Sequence, residues 1–382
     1  MKKFLSIIII IFISFSNVYA NEKVEENEIK EEVETVDETR YKAKVIEASN
    51  VFIEESSNIK YQELKIEILT DSKYKNNEYE AIFSIQALDS KESDKLKSGD
   101  IIYAHIDVNS TKTKFVVEDI DRIPYVLFVF VLFIAVILVI GRKQGLKTVL
   151  SLLATLLAII YIFIPMVTNG MSAVFAAILV SIVVAIVTFV LIAGFSKKSI
   201  VSMIGTVAGV IIGALIAFVI SYLGRITGLV DEHSQMLIYI AKDIVIDING
   251  IFFAGIIIGT IGATMDIAMS ISSSMEEIVT KVKDIPSKQL IKSGLNIGRD
   301  VMGTMSNTLI LAYVGSSLNI ILIYVLNNKD VMTILNSDFI ASEILRSFCS
   351  TIGMILTIPI TVYIYSLAHK YIKPKIKVEK IK

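Results

Sequence analysis

Three ionisable side chains sit within, or at the edge of, otherwise apolar stretches. Asp266 lies in GATMDIAMSISSSMEE; Arg299 and Asp300 lie in SGLNIGRDVMGTMSNTLILAYVGSS. At helical spacing Asp266, Ser270, Ser273 and Glu277 share one face. On the following helix Asp300, Thr304, Asn307 and Leu311 share another, with Arg299 beside it. Asp266 is sixteen residues past Gly250, which places it ~24 Å along its helix and in the inner third of a ~30 Å hydrocarbon core. The next helix runs the other way, so Arg299 and Asp300 enter at similar depth. An Arg beside an Asp is the least costly way to keep both charged there. The expectation is therefore an ion pair of Arg299 with Asp266 or Asp300. Such groups mark a solute path or proton relay unless they form a structural clamp. A second pair, Glu343 and Arg346, is spaced for an ion pair at headgroup level.

Other chemistry finds little support. His105, His233 and His369 are not deep in an apolar run, and there is no His-Glu-x-x-His motif. Cys349 is the one cysteine, so neither an intrachain disulfide nor a thiolate metal cluster is open to the chain. An aspartyl dyad of Asp266 and Asp300 is formally available, but its flanking residues match no intramembrane protease motif. No nucleotide-binding loop is present, and no metal, cofactor or catalytic residue is assigned.

The elements that position these residues follow from patterning. Of 382 residues 54% are hydrophobic, above the usual share for a soluble domain, and they concentrate after Ile123. The near-zero net charge gives no reason to expect a nucleic-acid partner. Residues 1–20 read as a signal peptide: Lys2 and Lys3, an apolar stretch, then Val18-Tyr19-Ala20. Residues 21–40 read as an acidic disordered linker, with nine acidic and two basic side chains from Glu22 to Glu38. Residues 41–123 read as a small extracytoplasmic β domain. Tyr61 to Leu69 alternates like a half-buried strand, Lys42–Ile53 and Ile101–Val108 look like further strands, and Gly99-Asp100 and Asn109-Ser110 supply turns.

Residues 124–369 read as a polytopic all-α bundle of seven transmembrane helices. The runs are Pro124–Ile140, Thr148–Val167, Met171–Phe195, Ile200–Leu223, Gly250–Ile271, a sixth ending at Leu326, and a seventh over Phe339–Leu367. Residues 370–382 form a basic tail. With the β domain outside, the inner segments carry 3, 2, 4 and 6 Lys or Arg, while the outer loops carry only Arg225, Lys242 and Lys329. That bias places the N-terminal domain outside and the C-terminus in the cytoplasm. Gly205, Gly209 and Gly213, and Gly255 with Gly259, recur at the spacing of close helix packing.

The stretches quoted first, together with GRKQGLKTVLSLL, resemble the signature of the YibE/F-like family of bacterial multi-pass membrane proteins, over about Tyr41 to His369. The resemblance implies an inner-membrane protein with an extracytoplasmic amino-terminal module, and no defined substrate or reaction. Asp266, Asn296, Gly298, Arg299, Asp300, Gly303, Thr304, Asn307 and Tyr313 match its motif positions. The candidate polar cluster is Asp266, Ser270, Ser273, Asn296, Arg299, Asp300, Thr304 and Asn307. The leading functional expectation is a transporter or permease component in the cell membrane, acting on a small solute or ion. The alternatives are a non-catalytic envelope scaffold or sensor and, behind these, an intramembrane aspartyl-type enzyme. The partners expected are the lipid bilayer and a second copy or another membrane protein.

Overall fold

The structure is a computed structural model that describes residues 39–54, 59–85, 95–107, 113–228, 234, 236–237, 247–282 and 284–371. The expected signal peptide, nearly all of the acidic linker, the Asn109-Ser110 turn, and the tail after Tyr371 lie outside the described residues. The chain divides into two compact units, at about residue 136.

The first unit holds a closed five-stranded barrel. Its strands are β1 (Tyr41–Glu54), β2 (Ile59–Ile68), β3 (Glu78–Ile85), β4 (Ile101–Ile106) and β5 (Phe115–Ile120), in the order β1-β2-β3-β5-β4. β3 and β5 run parallel and the other neighbours antiparallel. This is the Greek-key arrangement of an OB-type barrel. Period-two patterning drives it. Leu64, Ile66 and Ile68 of β2 point inward beside Val45, Ala81, Ile102 and Phe115, while Glu63 and Lys65 point out. β1 is bulged at Val45/Glu47 and Ala48/Val51, and so bends to pair with both β2 and β4. Gly99, at φ 101°, makes the turn before β4, and its N–H donates to Val45 O at 2.8 Å.

Two polar devices lock the barrel. Gln62 is 2% exposed, and its amide donates to Ser49 O and Leu96 O at 3.1 and 2.9 Å while accepting from Leu96 N–H at 2.9 Å. This holds the apolar Leu96 in the barrel core. Lys42 Nζ meets Asp121 Oδ2 at 2.7 Å, and Asp121 Oδ1 also accepts from Ile123 N–H at 3.1 Å. Strand β1 is thereby tied to the point where helix begins.

The helices are α1 (Ile123–Ala158), continued by a π-helical turn (Ile159–Phe163) and α2 (Ile164–Thr168), then α3 (Ala173–Ala193), α4 (Lys197–Gly224) and α5 (Ile248–Lys281). After them come α6 (Ser287–Ser316), α7 (Leu318–Leu326), α8 (Val331–Leu335) and α9 (Asp338–Tyr371). Among the described residues five helical stretches are long and apolar enough to cross a membrane, or six if α6 and α7, bent by 58°, form one span. These are the helices of a multi-pass membrane protein. The count differs from the seven runs expected because the first two merge into one stretch, Ile123–Thr168. That stretch is interrupted at Arg142, whose φ of 48° and ψ of −125° are not helical. Beyond the break Gly145 lies so close to the Ile137 carbonyl that a Cβ there would overlap it.

α4, α5 and α9 form the most extensive helix contacts. Gly205, Gly209 and Gly213 of α4 face Thr361, Thr357 and Cys349 with Gly353 of α9, and a Cβ at Gly205 or Gly209 would run into a threonine hydroxyl. The packing expected of this glycine row is therefore present. The second row differs: no described atom lies within 4 Å of a Cβ built on Gly255, and only the Tyr313 hydroxyl approaches Gly259.

Candidate functional site

α5 is covered by α3, α4, α6 and α9, which leaves a narrow uncovered strip. Gly255, Gly259, Gly262, Asp266 and Ser270 lie exposed along it, at the three- and four-residue spacing of one helix face. Ser273, one turn on, is half-buried, and its hydroxyl contacts Met269 Sδ at 3.5 Å.

α6 packs against α9 and α5 through Leu290, Gly294 and Gly298. Gly298 is pressed on Ile358, and Gly294 on Met275 and Val362. Its other half is exposed and polar: Asn296, Arg299, Asp300, Thr304 and Asn307 all lie there. Up to Thr308 the helix thus turns its apolar half inward and its polar half outward, the reverse of what lipid asks of a span; beyond it Leu311 and Val314 are exposed.

The two faces adjoin along antiparallel helices. The Tyr313 hydroxyl reaches Gly259, and the Met275 sulfur reaches Gly294. The expected ion pair is not formed. Among the described ion pairs none includes Arg299; its Nη1 donates instead to Asn296 Oδ1 at 3.2 Å. Asp300, as the next residue, projects about 100° around the helix from Arg299. The face each residue takes on its own helix was readable from the sequence; the register between the helices was not. Thr304 turns its hydroxyl back to Val301 O at 3.0 Å, so its oxygen keeps an acceptor lone pair toward the open face.

The Glu343–Arg346 pair does form, at 3.1 Å, but not at the surface. The two side chains are 13% and 29% exposed, and the guanidinium lies 5.4 Å over the Phe252 ring of α5. Packing of α9 against α5 draws the pair inward.

A further polar feature was not singled out from the sequence. Ser202, Thr206, Thr260, Thr264, Ser350 and Thr357 are all buried where α4, α5 and α9 meet. Ser202 donates to Ala268 O at 3.1 Å, and Thr260 to Ser350 Oγ at 2.9 Å. The signal was available as hydroxyls four apart inside apolar runs. Ser202, Thr206 and the Thr260–Ser350 pair tie one helix to another, while Thr264 and Thr357 bond carbonyls of their own helices. The buried hydroxyls of Ser272 and Thr361 have no protein partner among the described residues.

On the barrel, an open cavity of about 480 Å³ lies over β2 and β3. Glu47, Glu63, Glu78 and Glu80 line it with Lys65 and Lys114. Lys65 pairs with Glu78 at 2.7 Å and Lys114 with Glu80 at 3.4 Å. This acidic excess is the opposite of a phosphate-binding surface. Among the described residues no group of three or more His, Cys, Asp or Glu side chains is placed to hold a metal ion.

Apolar spans, a hydroxyl-lined helix core and a conspicuous polar strip on two adjacent helices define a multi-pass membrane protein. The family model of the YibE/F-like proteins matches residues 129–371, and the chain belongs to that family. The matched region contains every residue of the polar strip and excludes the barrel, so the family likeness is narrower than the Tyr41–His369 range expected. No curated protein and no solved structure matches the chain.

Proposed function

We propose that the chain is a transporter or permease component of the cell membrane, with the strip formed by Asp266, Ser270, Asn296, Arg299, Asp300, Thr304 and Asn307 lining the route of a small solute or ion. One observation carries the reading: these side chains are exposed on helices of membrane-spanning length, and the charged ones have no ionic partner among the described residues. A structural clamp would be dry and paired. Unpaired charges at this depth need water or a ligand. Ser273 borders the strip at the cytoplasmic side.

The accompanying topology is seven spans, barrel outside, tail inside, after removal of a signal peptide. Its support is the Lys/Arg bias of the loops and the break at Arg142, which falls between the first two apolar runs. A scaffold or sensor role for the barrel is the second reading, and the open cavity over β2 and β3 is the feature that favours it.

Water access tests the first reading. In a Cys349→Ser background, single cysteines at Asp266, Ser270 and Thr304 should react in membranes with a small, charged, membrane-impermeant maleimide. Cysteines at lipid-facing Phe130 and Phe175 should not. Inert cysteines at all three strip positions in a folded protein reject a water-filled route.

A further inference from the structure

The exposed half of α6 is arranged to meet a copy of itself. Successive helical residues turn by about 100°, so Asn296, Gly303 and Asn307 fall within a narrow line along its centre. Arg299 lies on one flank of that line and Asp300 on the other. No described atom comes within 4 Å of a Cβ built on Gly303, so the middle of the line is open to close approach. All five residues except Gly303 carry polar groups, and all five are exposed.

We propose that α6 forms the core of a two-fold homodimer interface. With both copies inserted in the same direction, the two α6 helices are parallel. The left flank of each then faces the right flank of the other, as flanking positions do across a parallel coiled coil. Arg299 meets the second copy's Asp300, and Asp300 meets the second copy's Arg299, one residue or about 1.5 Å apart in depth. The two Asn307 amides meet near the axis and can bond each other, and the two Gly303 positions let the backbones close up. A face that carries both signs on opposite flanks is self-complementary, which is the requirement of an isologous contact. A different membrane protein would have to supply both charges in mirror order; this chain already does. The inference rests on placing α6 in the membrane, as above, and does not require that the strip conduct anything.

Oligomeric state is the test, read on the full chain in lipid nanodiscs and in native membranes. In the Cys349→Ser background, Gly303→Cys and Asn307→Cys should form disulfide-linked dimers on mild oxidation, and Phe175→Cys on α3 should not. Arg299→Asp alone should lower the dimer fraction at least tenfold, as should Asp300→Arg alone. The double swap, Arg299→Asp with Asp300→Arg, restores opposite charges across the axis and should restore the dimer. Elution as a single sharp peak confirms folding of each variant. The proposal is overturned by a folded chain that stays monomeric, by cross-linking only at Phe175, by a double swap no better than the singles, or by a different protein bound at the strip. Inert strip cysteines in a chain whose dimer is intact count against the transport reading alone.

Discussion

Gly209 of α4 and Thr357 of α9 approach so closely that a β-carbon on the glycine would overlap the threonine hydroxyl. On the other side of the same contact, the Gly353 carbonyl lies 2.9 Å from that β-carbon position. Turning the Thr357 hydroxyl aside does not make room, because the Gly353 backbone must yield as well. Gly209→Val should cost about 1–3 kcal/mol by overpacking and lower the melting temperature in detergent. Gly255→Ala is the matched control. Its Cβ meets no described atom, and replacing a mid-helix glycine should leave stability unchanged or raise it by about 0.5–1 kcal/mol. Equal melting temperatures for the two variants would refute the assignment of these glycine rows.

The barrel carries a pH-sensitive tie. Hydrogen bonding to Lys42 and, after it, to the Ile123 N–H holds the Asp121 carboxyl below its ordinary range, while the Asp121 carboxylate raises Lys42. The acid's contribution is present above its unfolded value of about 3.9 and is lost as pH falls through the lower folded value. The lysine's contribution is present below about 10.4 and is lost as pH rises through its raised folded value. Between those limits the tie is intact. Asp121→Asn should therefore flatten the loss of barrel stability below about pH 4. Hydrogen-exchange protection of β1, corrected for intrinsic rates, reads this directly; an unchanged acid limb would count against it.

Gln62 answers three backbone groups with one buried side chain. Gln62→Ala strands Leu96 N–H, and removes the donor to Leu96 O and Ser49 O. The expected cost is about 1–3 kcal/mol, with faster exchange at Leu96 and Ser49. Gln62→Met keeps the volume and loses the bonds, so it should be nearly as damaging. A mild effect for methionine beside a severe one for alanine would mean that packing, not hydrogen bonding, is what Gln62 supplies.

How far these features could be foreseen depends on the length scale of the interaction. Period-two alternation located β1, β2 and β4, because each strand buries one face in the barrel core. β3 and β5 were not marked out individually: EYEAIFSI and FVVEDI alternate less cleanly, and β5 joins the sheet through a parallel partner far off in sequence. Along the helices, the faces carrying Asp266 and Asp300 followed from spacing alone. The partner of Arg299 did not, because it depends on where α5 and α6 come into register, and that is set by Gly294 against Met275 and Gly259 against Tyr313. Burial of Glu343 and Arg346 was hidden for the same reason: Phe252, nearly a hundred residues earlier, supplies the cover.

The number of spans decides the side of the tail, and here one stretch matters. Ile123–Thr168 is 46 residues long, or roughly 70 Å of helix, against a hydrocarbon core of about 30 Å. A straight single crossing would leave more than half of an apolar helix in water. Arg142 interrupts it, and Arg142, Lys143 and Lys147 cluster at the interruption, where the positive-inside rule expects a cytoplasmic turn. Two crossings here bring the total to seven and set the tail opposite the barrel; one crossing gives six and sets them on the same side. Reporter fusions after Lys147 and after Lys382, with a third after Asp121, separate the two counts. Seven spans require cytoplasmic signals from the first two and an external signal from the third. Matching signals from Asp121 and Lys382 would establish an even number of crossings and overturn the seven-span reading.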